Sequence, residues 1–125
     1  MTAGRVIRSF ATPSTGPTGL AWDGRTIWHC DSTADKIYQI DPISGRVIRS
    51  FACPSTVATG LAWDGRTLWH CDYTARLIYQ IDPITGRVIR SFASPSTGPY
   101  ELAWAGRTLW HCDYDARMIY QLEVE

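Results

Sequence analysis

No apolar run in this 125-residue chain approaches the ~20 residues that a helical bilayer span requires, so no transmembrane helix is expected. An excess of charge of either sign is missing as well. Twelve Lys and Arg balance twelve Asp and Glu, which argues against a general nucleic-acid binder and against a protein drawn to anionic membranes. The opening residues, MTAGRVIRSF, lack the apolar core of a secretory signal, and a cytoplasmic setting is the expectation. Familiar catalytic signatures are absent: no Gly-rich phosphate loop, no G-x-S-x-G, no H-E-x-x-H, no close acidic pair with a matching base. Nothing in the residues calls for a cofactor. Cysteine is sparse and badly placed for cross-linking. Of four, Cys30, Cys71 and Cys112 occupy one repeated position, and equivalent positions of stacked units are usually too far apart to bridge. Free thiols again fit a reducing compartment.

What the chain does have is six Trp and six Tyr, distributed by an internal repeat. The string GRVIRSFA begins at Gly4, Gly45 and Gly86, a spacing of 41 residues each time. Residues 4–44 and 45–85 are identical at 33 of 41 positions, and 86–125 matches the second copy at 28 of 40. A chain of this length is expected to form one domain, 1–125, built of three nearly equal units.

Each unit reads as four short strands. In the second copy these are 45–51, 59–64, 66–72 and 76–82, with apolar residues alternating at a period of two and no stretch between turn signals long enough for a typical helix. Asp64-Gly65 favours a tight type I′ hairpin, and DPITG closes the next turn with proline first and glycine last. Four antiparallel strands in about 40 residues, repeated, are the mark of a β-propeller blade.

The stretch GLAWDGRTLWHCDYTARLIYQIDPITGRVIRSFASPSTGP resembles the repeats of NHL-type propellers and their relatives, among them the YVTN-type, streptogramin-lyase-like and glutamine-cyclotransferase-like propellers. The resemblance covers the whole chain. It implies an all-β propeller fold with 59–64 as the innermost strand and GRVIRSF as the outermost, and it leaves function open. Under that strand order the last blade has no outer strand, while Gly4–Phe10 is an outer strand without a blade. The expected closure is a homodimer making a six-bladed ring, in which Gly4–Phe10 of each subunit completes the partner's last blade. A fragment of a longer propeller, natural or engineered, is the alternative.

Trp69-His70-Cys71-Asp72 looks like a reactive cluster and recurs at residues 28–31 and 110–113. Adjacent strand residues point to opposite faces, so His70 and Cys71 cannot chelate one metal or form one nucleophile–base pair within a blade. Neither a metal site nor a catalytic residue is therefore expected here. The structural reading makes Cys a small hydrophobe. It makes His29, His70 and His111 buried groups that need hydrogen-bond partners, with side chains of the next blade as candidates. Asp31, Asp72 and Asp113 are expected to cap the following loop in Asx turns, completing this polar network.

The propeller resemblance gathers two sets of loops at the channel mouth, 32–36, 73–76 and 114–117 with 12–18, 53–59 and 94–101, and the copies differ most there. Tyr73, Arg76, Tyr114, Arg117 and Lys36 are the candidates for binding a small polar ligand, a carboxylate, phosphate or sugar, or else a protein partner. The functional expectation is a non-catalytic scaffold or binding module. The alternatives are a lyase or hydrolase of the streptogramin-lyase or cyclotransferase-like kind, or an engineered repeat protein without evolved activity.

Overall fold

The computed structural model describes residues 3–124. Its strands are β1 (Pro17–Trp22), β2 (Ile27–Asp31), β3 (Lys36–Ile40), β4 (Val47–Ala52), β5 (Ala58–Trp63), β6 (Leu68–Asp72), β7 (Leu77–Ile81), β8 (Val88–Ala93), β9 (Pro99–Trp104), β10 (Leu109–Asp113) and β11 (Met118–Leu122). Consecutive strands pair antiparallel into two four-stranded sheets, β1–β4 and β5–β8, and one three-stranded sheet, β9–β11. These are the three blades, repeating in register. Leu61 lies opposite His70 and His70 opposite Tyr79, while Leu102 lies opposite His111 and His111 opposite Tyr120. Among the described residues there is no helix long and apolar enough to cross a membrane.

Strand alternation sets how the blades stack. Trp28, Cys30 and Ile37 on the back of the first blade pack on Leu61, Leu68, Tyr79 and Ile81 on the front of the second. Trp69, Cys71 and Ile78 on the back of the second pack in turn with Leu102 and Leu109 of the third. The buried Trp of the first two blades have aromatic neighbours: Trp28 lies 6.2 Å from Phe51, and Trp69 stacks on Trp104 with centroids 6.4 Å apart and lies 6.2 Å from Phe92. Between blades, the Thr18 hydroxyl donates to the Ala58 carbonyl at 2.9 Å, and Thr59 does the same to Pro99 at 3.2 Å.

The inner strands approach closely enough to require glycine. A Cβ on Gly60 would lie 2.5 Å from Glu101 Oε1 and 2.8 Å from Glu101 Cα. Glu101 stands where the other copies have Gly19 and Gly60, and its carboxylate accepts from the backbone N–H of Leu61 at 3.2 Å and of Leu102 at 3.0 Å.

The expected type I′ hairpin needs correction. Trp63 and Leu68 bound a four-residue turn in which, of its non-terminal residues, Gly65 alone has positive φ, whereas type I′ needs two such residues in succession. The Asp64 carboxylate fixes the turn instead. It accepts from the N–H groups of Arg66 and Thr67 at 2.8 and 2.7 Å, the Thr67 hydroxyl at 2.7 Å and the Trp69 indole N–H at 2.9 Å. Asp23 repeats the arrangement in the first blade, reaching Trp28 at 2.9 Å. The third blade has Ala105 at this position.

Gly4–Phe10 pairs with no strand of the described chain and is exposed.

Candidate functional site

The repeated aspartates organise the mouth. Asp31 closes its blade's turn by accepting the N–H groups of Thr33 and Ala34, both at 2.9 Å. Its second oxygen reaches the other loop through Gly16 N–H at 3.1 Å. Asp72 does the same for Thr74, Ala75 and Val57, and Asp113 for Ala116 and Gly98. One buried carboxylate per blade thus ties the two mouth loops together. Each turn ends on a residue in the left-handed region, Asp35, Arg76 and Arg117, with φ of 58°, 59° and 58°.

The histidines take backbone partners within their own blade, not side chains of the next. Nδ1 of His29, His70 and His111 faces the carbonyl oxygens of Gly19, Gly60 and Glu101 at 3.1, 3.0 and 3.2 Å. A carbonyl only accepts, so each Nδ1 carries a proton; all three Nε2 atoms are buried without a partner among the described residues. Each ring also stacks on the adjacent tyrosine, Tyr38, Tyr79 or Tyr120, at 6.0–6.1 Å. Burial brings the His70 pKa down to about 4, against a weaker opposing pull from the Gly60 hydrogen bond and Asp72, so the ring is neutral near pH 7.

The thiols lie on the opposite face. Burial pushes Cys30 up to about 11 and Cys71 higher still, despite the Thr18 and Thr59 hydroxyls beside them, so neither forms a thiolate readily. Among the described residues, no three His, Cys, Asp or Glu side chains converge in a way that would hold a metal ion.

The candidate ligand residues fall into two groups. Tyr73 is anchored: its hydroxyl donates to Asp115 Oδ1 at 2.6 Å across the second and third blades, and the Thr97 hydroxyl bonds the other oxygen at 3.2 Å. Tyr114 is exposed and packs on Tyr100 with ring centroids 5.6 Å apart. Lys36, Arg76 and Arg117 are exposed around the same rim. Sequence reasoning placed Tyr100, Glu101 and Asp115 within the mouth loops but did not name them among the candidate binding residues. Their signal was departure from the repeat, Asp115 for Thr33 and Thr74, and Tyr100-Glu101 for Thr18-Gly19 and Thr59-Gly60. Burial raises the Glu101 carboxyl above its ordinary range, with the Leu102 and Leu61 N–H groups opposing.

The outer faces of the terminal blades are open. On the back of the third blade Trp110 is 38% exposed and Ile119 72%, where their equivalents Trp69 and Ile78 are 1% and 0%. On the front of the first blade Leu20 is 66% exposed, against 2% for Leu61. A largely apolar cleft of about 570 Å³ runs along that front face, lined by Arg8, Phe10, Leu20, Ile27, His29 and Ile40 among others.

No protein-family model matches the chain. No curated protein matches it in sequence. Solved structures do match in fold. A catalytically inactive virginiamycin B lyase from Staphylococcus aureus, solved with quinupristin, superimposes on all of the chain with a TM-score of 0.70 at 21% identity, over 47% of its own length. Myxococcus xanthus glutaminyl cyclase matches 87% of the chain and 51% of its own length, with a TM-score of 0.63 at 17% identity. A WD40 β-propeller domain matches 80% of the chain and 33% of its own length, with a TM-score of 0.65 at 12% identity. The chain therefore spans a third to a half of the solved chains it resembles. Its fold is that of three consecutive β-propeller blades, similar to those of virginiamycin B lyase.

Proposed function

We propose that the chain is a non-catalytic binding scaffold, half of a six-bladed ring that closes with a second copy and offers its mouth loops to a ligand. The observation that carries this reading is the match between the two open faces. The back of the third blade presents Trp110, Cys112 and Ile119, the counterparts of Trp69, Cys71 and Ile78. Those residues already pack on Leu102 and Leu109, whose counterparts Leu20 and Ile27 form the open front of the first blade. A second copy placed head to tail reproduces the internal junction with the same residue types, and a two-fold pair closes the ring. Left uncovered, the two faces and the β11 edge would invite aggregation.

The near identity of the blades supports a scaffold over an enzyme, because a catalytic site needs polar groups placed asymmetrically. Tyr73, Arg76, Tyr114, Arg117 and Lys36 form the rim that meets a small polar ligand or a protein partner. The neutral charge balance and the free thiols fit a cytoplasmic protein that binds neither nucleic acid nor membranes. Light scattering at low micromolar concentration tests the ring: a mass of twice 14.0 kDa is expected, and a clean monomer overturns it.

A further inference from the structure

We infer that residues 4–11 are a pre-set donor strand, and that Arg8 and Phe10 are the anchors through which each copy completes the partner's third blade. The donated strand presupposes the ring proposed above.

The segment has no strand partner among the described residues, yet it is not placed at random. Phe10 covers Gly45 as Phe51 covers Gly86: a Cβ on either glycine would stand 2.6 Å from the Cγ of that ring. Arg8 Nη1 donates to the Ile43 carbonyl at 3.4 Å, and Arg49 Nη1 to the Ile84 carbonyl at 3.5 Å. Gly4 keeps the left-handed backbone of Gly45 and Gly86, with φ of 88° against 77° and 78°. Residues 4–10 therefore lie against the first blade as β4 lies against the second. They hold the outer-strand position of a blade that this chain does not contain.

The third blade lacks that strand. In the second blade, β8 pairs with β7 so that Phe92 lies opposite Ile78, Ser91 opposite Tyr79 and Arg90 opposite Gln80. There Phe92 packs beside Trp69, and Arg90 donates to Gln80 Oε1 at 2.8 Å with its guanidinium 5.5 Å from the Trp69 ring centre. Carried along the 41-residue period, the same register sets Phe10 of the partner subunit opposite Ile119, the partner's Ser9 opposite Tyr120 and the partner's Arg8 opposite Gln121. Ile119 and Trp110, both exposed here, gain the aromatic cover that Ile78 and Trp69 have. Arg8 then stands at the junction as Arg49 does between the first two blades, bonded to its own Ile43 carbonyl as Arg49 is to that of Ile84, and opposite Gln121 of the partner subunit as Arg49 is opposite Gln39. An aromatic and an arginine anchor, each filling a preformed place, are the residue types that dominate interface energetics.

Mixing two chains tests the register, one carrying Ser9→Cys and the other Tyr120→Cys, both with the exposed Cys112 changed to Ala. Mild oxidation is expected to give a disulfide-linked pair. Arg8→Cys mixed with Tyr120→Cys, one residue out of register and on the opposite face, is expected to give none. Phe10→Ala and Arg8→Ala are each expected to weaken dimerisation about tenfold or more by light scattering over a dilution series. A monomer at every concentration for the unaltered chain overturns both the ring and the donated strand. A dimer that forms no in-register link and is insensitive to both alanine variants overturns the donated strand alone, leaving closure by the blade faces.

Discussion

His70 shows how a side chain with catalytic potential is assigned to structure. It is buried, donates Nδ1–H to the Gly60 carbonyl and stacks on Tyr79. Its cost appears at low pH. The folded state holds the ring neutral down to about pH 4, while the unfolded chain takes up a proton near 6.5. Between those values the unfolded state binds more protons, so stability is full above pH 6.5 and is lost as pH falls toward 4. The loss attributable to this group is roughly 3 kcal/mol. Urea-unfolding midpoints measured from pH 7 to pH 4 are expected to fall accordingly, and His70→Gln, which keeps an N–H for the Gly60 carbonyl, is expected to flatten the slope. His111, also shifted down by burial, adds in the same direction.

Among the elements, the approach of β5 to β9 is the tightest feature described. A Cβ on Gly60 would meet Glu101 Oε1, Glu101 Cα at 2.8 Å and the Tyr100 carbonyl oxygen at 2.9 Å. Gly60→Ala is expected to cost roughly 2–4 kcal/mol in thermal or urea unfolding. Adding Glu101→Gly should recover only part of that, because the side chain can leave but the β9 backbone stays. The strands themselves were legible in the sequence to within a residue or two, since alternation and the 41-residue period are direct records of the pleat and of the blade. The Asp64 turn was not. Asp-Gly reads as a hairpin dipeptide, and the carboxylate's four donors, two of them backbone N–H groups, leave little mark on residue type. The histidine partners were hidden for the same reason, being carbonyls. In the mouth, Tyr73 and Tyr114 could be picked out as aromatic rim residues, but the Asp115 anchor of Tyr73 depends on a contact between blades that no local pattern encodes.

For the molecule as a whole, the third blade is the unfinished part. Three of its strands are present, its Asp23 and Asp64 counterpart is Ala105, and its back face is open. If a second copy completes it, folding and association are linked, and the melting temperature should rise with protein concentration. Calorimetry at concentrations a hundredfold apart checks this; a concentration-independent transition counts against closure.

The Tyr73–Asp115 hydrogen bond pins one stretch of the rim, whereas Ser32 and Thr33 in the first blade have neither the ring nor the carboxylate. A ring of two such chains would be two-fold and not six-fold at its mouth, however alike the blades look. A ligand lying on the central axis would then need two-fold symmetry of its own. Failing that, it would bind in either of two equivalent orientations; in both cases one ligand would be shared by a pair of chains, a stoichiometry of one half.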